Sequence, residues 1–393
     1  MPNETKHNLP ANFLLGAASS SHQVEGNNIH NDWWFWEQKG KLPASRVATD
    51  HFNRYKEDFV LAKQIGLNAM RISIEWSRIE PVEGKFDSAA VEHYRKVLQN
   101  MEALGLTRMV TLFHFTLPLW FANKGGFEKK KNISLFVRYA QFVVHELQNE
   151  VNLWATINEP EVYSGNSYRV GVWPPFVKNI FTSGRVFSNL AKAHIAAYEA
   201  IKKTTPKAVV GLAKNNVYYE PSRSRHPLDR VATYITHWFG NRWWLNKLNN
   251  KFDFLGLNYY FYHSLKFNLL KGVIHVDKTA PKSDMGWRTW PEGIYHLTTD
   301  LWSTYNKPIY ITENGIANAR DDMRQDFIEQ HLLWVEKAIH EGADVRGYFY
   351  WSLTDTYEWQ DGYNPKFGLI EVNFESQVRT VRPSSEIFKK IRP

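Results

Sequence analysis

The stretch Pro308-Ile309-Tyr310-Ile311-Thr312-Glu313-Asn314-Gly315 decides the fold. Its first half is a short apolar run rich in β-branched and aromatic residues, the pattern of a strand buried on both faces. Its second half breaks off in a carboxylate, an amide and a glycine, so the strand delivers polar groups to its C-terminal end. One other stretch has the same form: Leu153-Trp154-Ala155-Thr156-Ile157-Asn158-Glu159-Pro160. One such glutamate can be a solvated strand-end residue. Two of them, on two buried strands, can face each other across a pocket.

Working outward, further apolar strands alternate with helical periodicity. Strand one is Phe13 to Ala18, followed by the polar turn Ser19 to Gly26; a helix from Asp50 to Ile65 is stopped by Gly66. Strand two, Ala69 to Ile74, carries Arg71 and leads into Glu75-Trp76-Ser77-Arg78. A helix from Ser88 to Leu104 precedes strand three, which ends in His114. A helix near Ser134 to Glu150 leads to strand four with Asn158 and Glu159, and one from about Ser183 to Thr204 leads to strand five at Ala208 to Ala213. Strand six is Phe252 to Tyr260, strand seven ends in Glu313, a helix spans Asp322 to Glu341, and strand eight is Gly347 to Ser352.

Eight strand-helix units with no linker-like tract between them predict an α/β fold, a single (β/α)8 TIM barrel in which residues 1–393 form one domain. Catalytic residues of such barrels stand at the C-terminal ends of different strands, where every polar residue named above falls. Two doubly wound α/β halves would need a Gly-rich phosphate turn after an early strand, and the chain has neither G-x-G-x-x-G nor G-x-x-x-x-G-K-[ST].

Composition narrows the function classes. The chain has no cysteine, which excludes disulfides, thiol catalysis and thiolate metal sites. No H-E-x-x-H or clustered His/Asp set proposes a metal, so none is expected, and no cofactor is implied. The segment Met1 to Pro10 is polar and has no apolar leader, and no run approaches a membrane span. The expectation is a cytoplasmic protein with no membrane partner. A net charge of +8 raises the question of nucleic acid, but the basic residues look spread along the chain rather than gathered on one motif, so no nucleic-acid partner is expected. Aromatic residues make up 15% of the chain, which suits stacking on the C–H faces of sugars as well as core packing.

Two carboxylates flanking one bond are the apparatus of glycoside hydrolysis. One protonates the leaving oxygen and needs a raised pKa; the other attacks the anomeric carbon or activates water and needs neighbours that keep it ionised. Arg71 and Tyr260 are placed to hold a carboxylate charged, although each also fits an ordinary core role.

Asn158-Glu159-Pro160 after Trp154-x-Thr156, and Thr312-Glu313-Asn314-Gly315 after an apolar strand, resemble the signatures of glycoside hydrolase family 1, the β-glucosidase family. The likeness runs from Phe13 to Leu369. It implies a retaining β-glycosidase that hydrolyses terminal β-D-glycosyl residues, with Glu159 as acid/base and Glu313 as nucleophile. Carried over position by position, it implies that Gln23, His114 and Asn158 hydrogen-bond the first sugar. Glu358 and Trp359 grip its distal hydroxyls, Trp351 lies under the ring and Phe367 closes the far side. Arg71, Asn258 and Tyr260 support the nucleophile. The partner implied is a small-molecule β-glycoside or oligosaccharide.

Relatives that cleave 6-phospho-β-glycosides usually lack the Glu-Trp pair. Here Glu358 would repel a phosphate and Phe367 stands where those relatives carry Tyr, which favours an unphosphorylated sugar. Three departures bear on the pocket wall. His114-Phe115-Thr116 replaces the usual His-Trp-Asp or His-Trp-Glu, Glu75 stands where a small residue is more usual, and only Lys214 to Lys251 is available between strands five and six. The change at Phe115 and Thr116 and the short Lys214 to Lys251 connection predict an open aglycone region. A sugar-binding protein without turnover and a phospho-glycosidase are the alternatives; the glycone (glucose, galactose, fucose or mannose) and the oligomeric state are left open.

Overall fold

The computed structural model describes residues 7–276 and 279–391. Its central strands are β1 (Leu14–Ala18), β2 (Ala69–Ser73), β3 (Thr107–Phe113), β4 (Leu153–Asn158), β5 (Val210–Asn215), β6 (Leu255–Asn258), β7 (Ile309–Asn314) and β8 (Val345–Trp351). All pair in parallel and close into a barrel, β8 returning to β1 through the register Leu14 to Gly347 and Ala18 to Trp351. Every residue of β2, β4, β5, β6 and β7 is buried, which is why these strands read as unbroken apolar runs rather than as alternations.

Outside the strands lie α1 (His51–Gln64), α2 (Ser88–Ala103), α3 (Ile133–Leu147), α4 (Ile180–Thr204), α5 (Pro227–His237), α6 (Glu292–Tyr305) and α7 (Arg324–His340). The starts of α2 and α4 follow capping chemistry. Asp87 accepts from the backbone N–H groups of Ala89 and Ala90 at the start of α2. Asn179 accepts from Thr182 N and so begins α4 at Ile180, three residues before the expected Ser183. The buried face of α2 is Val91, Tyr94, Val97, Leu98 and Met101, the three-to-four spacing of an amphipathic helix laid on the barrel.

The expected strands are all present, with ends shifted by a few residues, because propensity sets an element's existence better than its last hydrogen bond. The turn expected at Ser19 to Gly26 contains one helical turn, Ser21–Val24. Strand five reaches Asn215, which brings Lys214 and Asn215 to the barrel mouth. The polar segment Met1 to Pro10 lies outside the described residues as far as position 6.

The connection between β5 and β6 corrects the expectation of a thinned rim. It holds a strand, Tyr218–Pro221, as well as α5 and the turns after it. That strand pairs with Tyr262–Asn268, which pairs in turn with Gly272–Val276, so three strands stand on the mouth of the barrel beside the pocket.

Register breaks mark both glutamate-bearing strands. The β7–β6 pairing shifts between Ile311 and Glu313, and the β4–β5 pairing between Ala155 and Asn158. An irregularity of this kind re-aims the side chain that follows it, and here it does so at the ends that carry Glu313 and Glu159.

Candidate active site

Arg71, 1% exposed in β2, ties three strands together at the barrel mouth. Its NH2 donates to Asn158 Oδ1 at 2.7 Å, Nε to Thr111 Oγ1 at 3.1 Å, and NH1 to both Thr312 O and Glu313 Oε1. Tyr260 donates its phenol to the other oxygen of Glu313 at 2.9 Å. Burial and the charge of Glu313 keep that phenol well above its usual range, so it stays protonated and able to donate.

Glu159 stands opposite with no ion pair among the described residues. It follows β4 at φ 42, with Pro160 opening the next helical turn, a left-handed backbone that only a firmly packed surrounding holds in place. Asn258 Nδ2 donates to Glu159 Oε1 at 2.9 Å, while Asn258 Oδ1 accepts from Thr312 Oγ1 at 2.6 Å.

The two carboxyls therefore differ in electrostatics. Burial, then the neighbouring charges of Glu313 and Glu161, push Glu159 well above the carboxylate range, against the weaker pull of the Asn258 amide and Arg71. Burial raises Glu313 as well, but Arg71 and the Tyr260 hydroxyl pull it back. Protons on this pair settle first on Glu159.

Both carboxyls line a cavity of about 170 Å³ at the C-terminal ends of the strands. Gln23, His114, Trp351, Glu358, Trp359 and Phe367 line it as well. Asn158 Nδ2 donates to His114 Nε2 at 3.3 Å, which puts the imidazole proton on Nδ1, an atom without a protein partner among the described residues. Burial and then Arg71 hold this imidazole well below its usual pKa, so it is neutral. Trp351 stacks on it with ring centroids 5.9 Å apart and donates Nε1 to Glu358 Oε1 at 3.2 Å. Burial pushes Glu358 up to about 7, against hydrogen bonds from Thr356 and Trp351.

A barrel mouth with two differently biased glutamates is chemically a glycosidase site, and the glycosyl hydrolase family 1 model matches residues 5–249 and 244–392. The chain belongs to glycosyl hydrolase family 1. It is 31% identical over 434 aligned positions to beta-glucosidase A of Thermotoga maritima, covering 98% of this chain and 97% of that protein. It is 28% identical to a beta-galactosidase of Sulfolobus acidocaldarius, over 98% of this chain and 94% of the relative. Among solved structures, a beta-glycosidase from Pyrococcus horikoshii superposes with a TM-score of 0.92 at 40% identity, covering 99% of this chain and 95% of that one. The Thermotoga maritima beta-glucosidase in complex with glucoimidazole gives a TM-score of 0.92 at 30% identity, over 98% of both chains. The protein is thus a (β/α)8 glycoside hydrolase of the retaining β-glycosidase type.

In this family 1 enzyme every residue expected at the site lies at the barrel mouth. Asn258, expected beside the nucleophile, makes its closest carboxylate hydrogen bond to Glu159, and the same amide also helps lower Glu313. It stands between the two glutamates. A carboxylate stands behind Thr116. Thr116 Oγ1 donates to Glu75 Oε2 at 2.9 Å, and Ser21 and Ser77 hydroxyls donate to the same carboxyl, so the loop after β2 packs a buried carboxyl group against the β3 loop. Phe115 does not leave a gap either: its ring packs 4.9 Å from Trp173 and 5.3 Å from Trp359.

Sequence reasoning missed Trp173, Phe261, Met285 and Trp287 of the family 1 pocket wall. They sit in loops with no periodicity. The available signal was aromatic side chains beside turn formers, as in Gly286-Trp287 and Trp173-Pro174-Pro175, and that signal is weak in a chain with 16 Trp.

Proposed function

We propose that Glu313 is the nucleophile and Glu159 the acid/base of a β-glucosidase-type hydrolysis of plain β-glycosides. The observation that carries the assignment is the asymmetry of partners: Glu313 is held by Arg71 and Tyr260, Glu159 by one neutral amide. A carboxylate kept ionised can attack the anomeric carbon, forming a glycosyl ester as the C–O bond to the aglycone breaks. Glu159 gives its proton to the departing oxygen, then takes one from the water that cleaves the ester. The pair shares the Asn258 amide. Such closeness suits direct attack, for which carboxyls lie about 5 Å apart, rather than the wider gap an interposed water needs.

The first sugar sits on Trp351, with His114 Nδ1–H and the Gln23 amide turned to its hydroxyls and Asn158 behind them holding His114 and Arg71. Gln23 is fixed for that purpose, since Nε2 donates to Tyr357 O at 2.8 Å and Oε1 accepts from Ser20 Oγ at 2.7 Å. Both hydrogen bonds of Glu358 fall on Oε1, leaving Oε2 for a distal hydroxyl, with Trp359 and Phe367 enclosing that end. A phosphorylated sugar would set its charge against Glu358. The reading includes one barrel domain over residues 1–393, a small-molecule glycoside as partner and a cytoplasmic location, where a chain without cysteine has no disulfide to lose.

The test is a 2-deoxy-2-fluoro β-glucoside with a good leaving group, followed by peptide mapping. A covalent adduct on Glu313 is expected, and a label on any other residue overturns the assignment. Parallel assays with the 6-phosphorylated substrate are expected to show the weaker turnover.

A further inference from the structure

Helix α5 is inside out. Its inward positions are Asp229, Ala232 and Thr233, while Leu228, Val231, Tyr234, Ile235 and, just beyond its end, Phe239 face solvent. Tyr234 is 66% and Phe239 58% exposed. At helical spacing these side chains form one continuous stripe, the stripe that a surface helix ordinarily turns to the core. Asp229 cannot be traded outward, because it holds Arg223 at 2.7 Å and accepts from Phe267 N at 2.9 Å.

The second of those bonds fastens a hairpin to the first turn of α5. The hairpin is made of Tyr262–Asn268 and Gly272–Val276, and its tip carries Leu269 and Leu270, 87% and 95% exposed. Asn268 Oδ1 accepts from the backbone N–H groups of Leu270 and Lys271, so the tip is a formed turn that holds two leucines out into solvent. Contiguous exposed apolar surface of this kind marks an interaction site rather than ordinary surface scatter.

Charge decides what covers it. Residues 222–276 contain eight Lys or Arg and two Asp, and so carry six of the chain's eight net positive charges. They lie in one continuous run of the chain, in which Arg242 pairs with Asp300 and Lys251 with Glu199 outside it. Arg225, Arg230, Lys247 and Lys271 are exposed, and the two acids are already paired, Asp229 with Arg223 and Asp253 with Lys202. A second copy of the chain docked through this face would set cations against cations. A flat anionic surface with an apolar interior satisfies both the charges and the protruding leucines and aromatics. No helix among the described residues is long and apolar enough to cross a membrane, so the contact is peripheral.

We infer that the outward face of α5 and the tip of the adjoining hairpin dock this enzyme onto an anionic phospholipid membrane. Apolar side chains enter the headgroup boundary, and the surrounding cations pair with lipid phosphates. The strands that carry the hairpin continue from Tyr260 and Phe261 of the pocket wall, so docking holds the barrel mouth near the bilayer. This inference is independent of which glutamate does what.

The experiment is flotation of the purified enzyme with two sets of vesicles, phosphatidylcholine alone and phosphatidylcholine mixed with phosphatidylglycerol, at low and high salt. Binding is expected on the mixed vesicles at low salt and is lost at high salt. The double variant Leu269→Ser/Leu270→Ser and the charge reversal Arg225→Glu/Arg230→Glu should each lower partitioning by about tenfold or more. Hydrolysis of a soluble aryl β-glucoside by both variants should match the parent, which shows that they fold. No flotation on anionic vesicles, or undiminished flotation of the variants, overturns the inference. So does sedimentation showing a dimer that Ile235→Glu splits, since a second copy then covers the face.

Discussion

Arg71 and Glu313 form an ion pair whose side chains are 1% and 5% exposed, with the same guanidinium anchored on Asn158 at 2.7 Å. One buried cation thus spans β2, β4 and β7 and braces the residue next to each glutamate's chemistry. Burial alone would drive Glu313 toward its protonated, non-nucleophilic form, and Arg71 is the main counterweight.

Arg71→Met is therefore expected to raise the Glu313 pKa further. Because the nucleophile must be deprotonated, the acid limb of kcat/KM moves to higher pH. Removing one partner of a buried pair costs about 3–5 kcal/mol. Beyond that cost to stability, activity at neutral pH should fall by about tenfold for each pH unit that the acid limb moves past neutrality. A pH profile of the variant checks this, and an unmoved acid limb would show that Arg71 only packs.

Glu159→Gln should spare activated aryl glycosides relative to substrates with poor leaving groups, because only the latter need a proton on the departing oxygen. For the demanding substrates the loss should be on the order of 10²-fold or more. Equal losses for both kinds would remove the acid role.

On the proposed assignment the alkaline limb is that of Glu159, whose neighbours differ from those of Glu313. Facing it are Glu313 and Arg71 across the pocket, Asn258 from β6, and the pair Glu161 and Lys214, with Lys214 Nζ 3.7 Å from Glu161 Oε1. Glu161 raises Glu159, and the Lys214 charge opposes that effect. Glu161→Gln should move the alkaline limb to lower pH and Lys214→Met should move it to higher pH. The two shifts, measured in kcat/KM with one aryl glycoside, must have opposite signs; shifts in the same direction would point to a structural cause.

Glu358 trades stability for grip. Its carboxyl is raised to about 7 in the folded protein against about 4.5 unfolded, so between those pH values the folded state binds the extra proton. Its contribution to stability is whole below about 4.5 and is lost as pH rises through about 7, by roughly 3 kcal/mol. Glu358→Gln is expected to raise Tm at pH about 8 relative to the parent while lowering kcat/KM for plain glucosides by roughly 10²-fold, the worth of a hydrogen bond to a charged group. Thermal scans at low and high pH check it; a Tm gain that is the same at both would mean the effect is not titration.

The barrel was legible because a strand buried on both faces cannot hide its apolar run, and Leu153–Asn158 and Ile309–Asn314 each end such a run in polar residues. The glutamates were legible for the same reason. That Asn258 also reaches Glu159, at 2.9 Å, was not legible, because a side chain between two adjacent acids is aimed by local register, and sequence spacing does not carry that. The rim failed for a different reason. A strand of four residues, Tyr218–Pro221, is set by its pairing with Tyr262–Asn268, more than forty positions later, and has no signal of its own.

That rim carries the last prediction. On one side Trp287 lies 4.7 Å from Phe261, 5.8 Å from Tyr260 and 6.0 Å from Phe367; on the other Trp173 packs on Phe115 and Trp359. Two aromatic walls flank the way out of the first-sugar site, where an open region was expected. An aryl aglycone can stack there, and aromatic pairs contribute about 0.5–1.5 kcal/mol beyond burial. Trp287→Ala is therefore expected to lower kcat/KM for an aryl β-glucoside by roughly 2–10-fold while leaving a methyl β-glucoside nearly unchanged. The ratio of the two substrates is the measurement. If both fall together, Trp287 shapes the first-sugar site through Phe367, and the aglycone wall lies with Trp173.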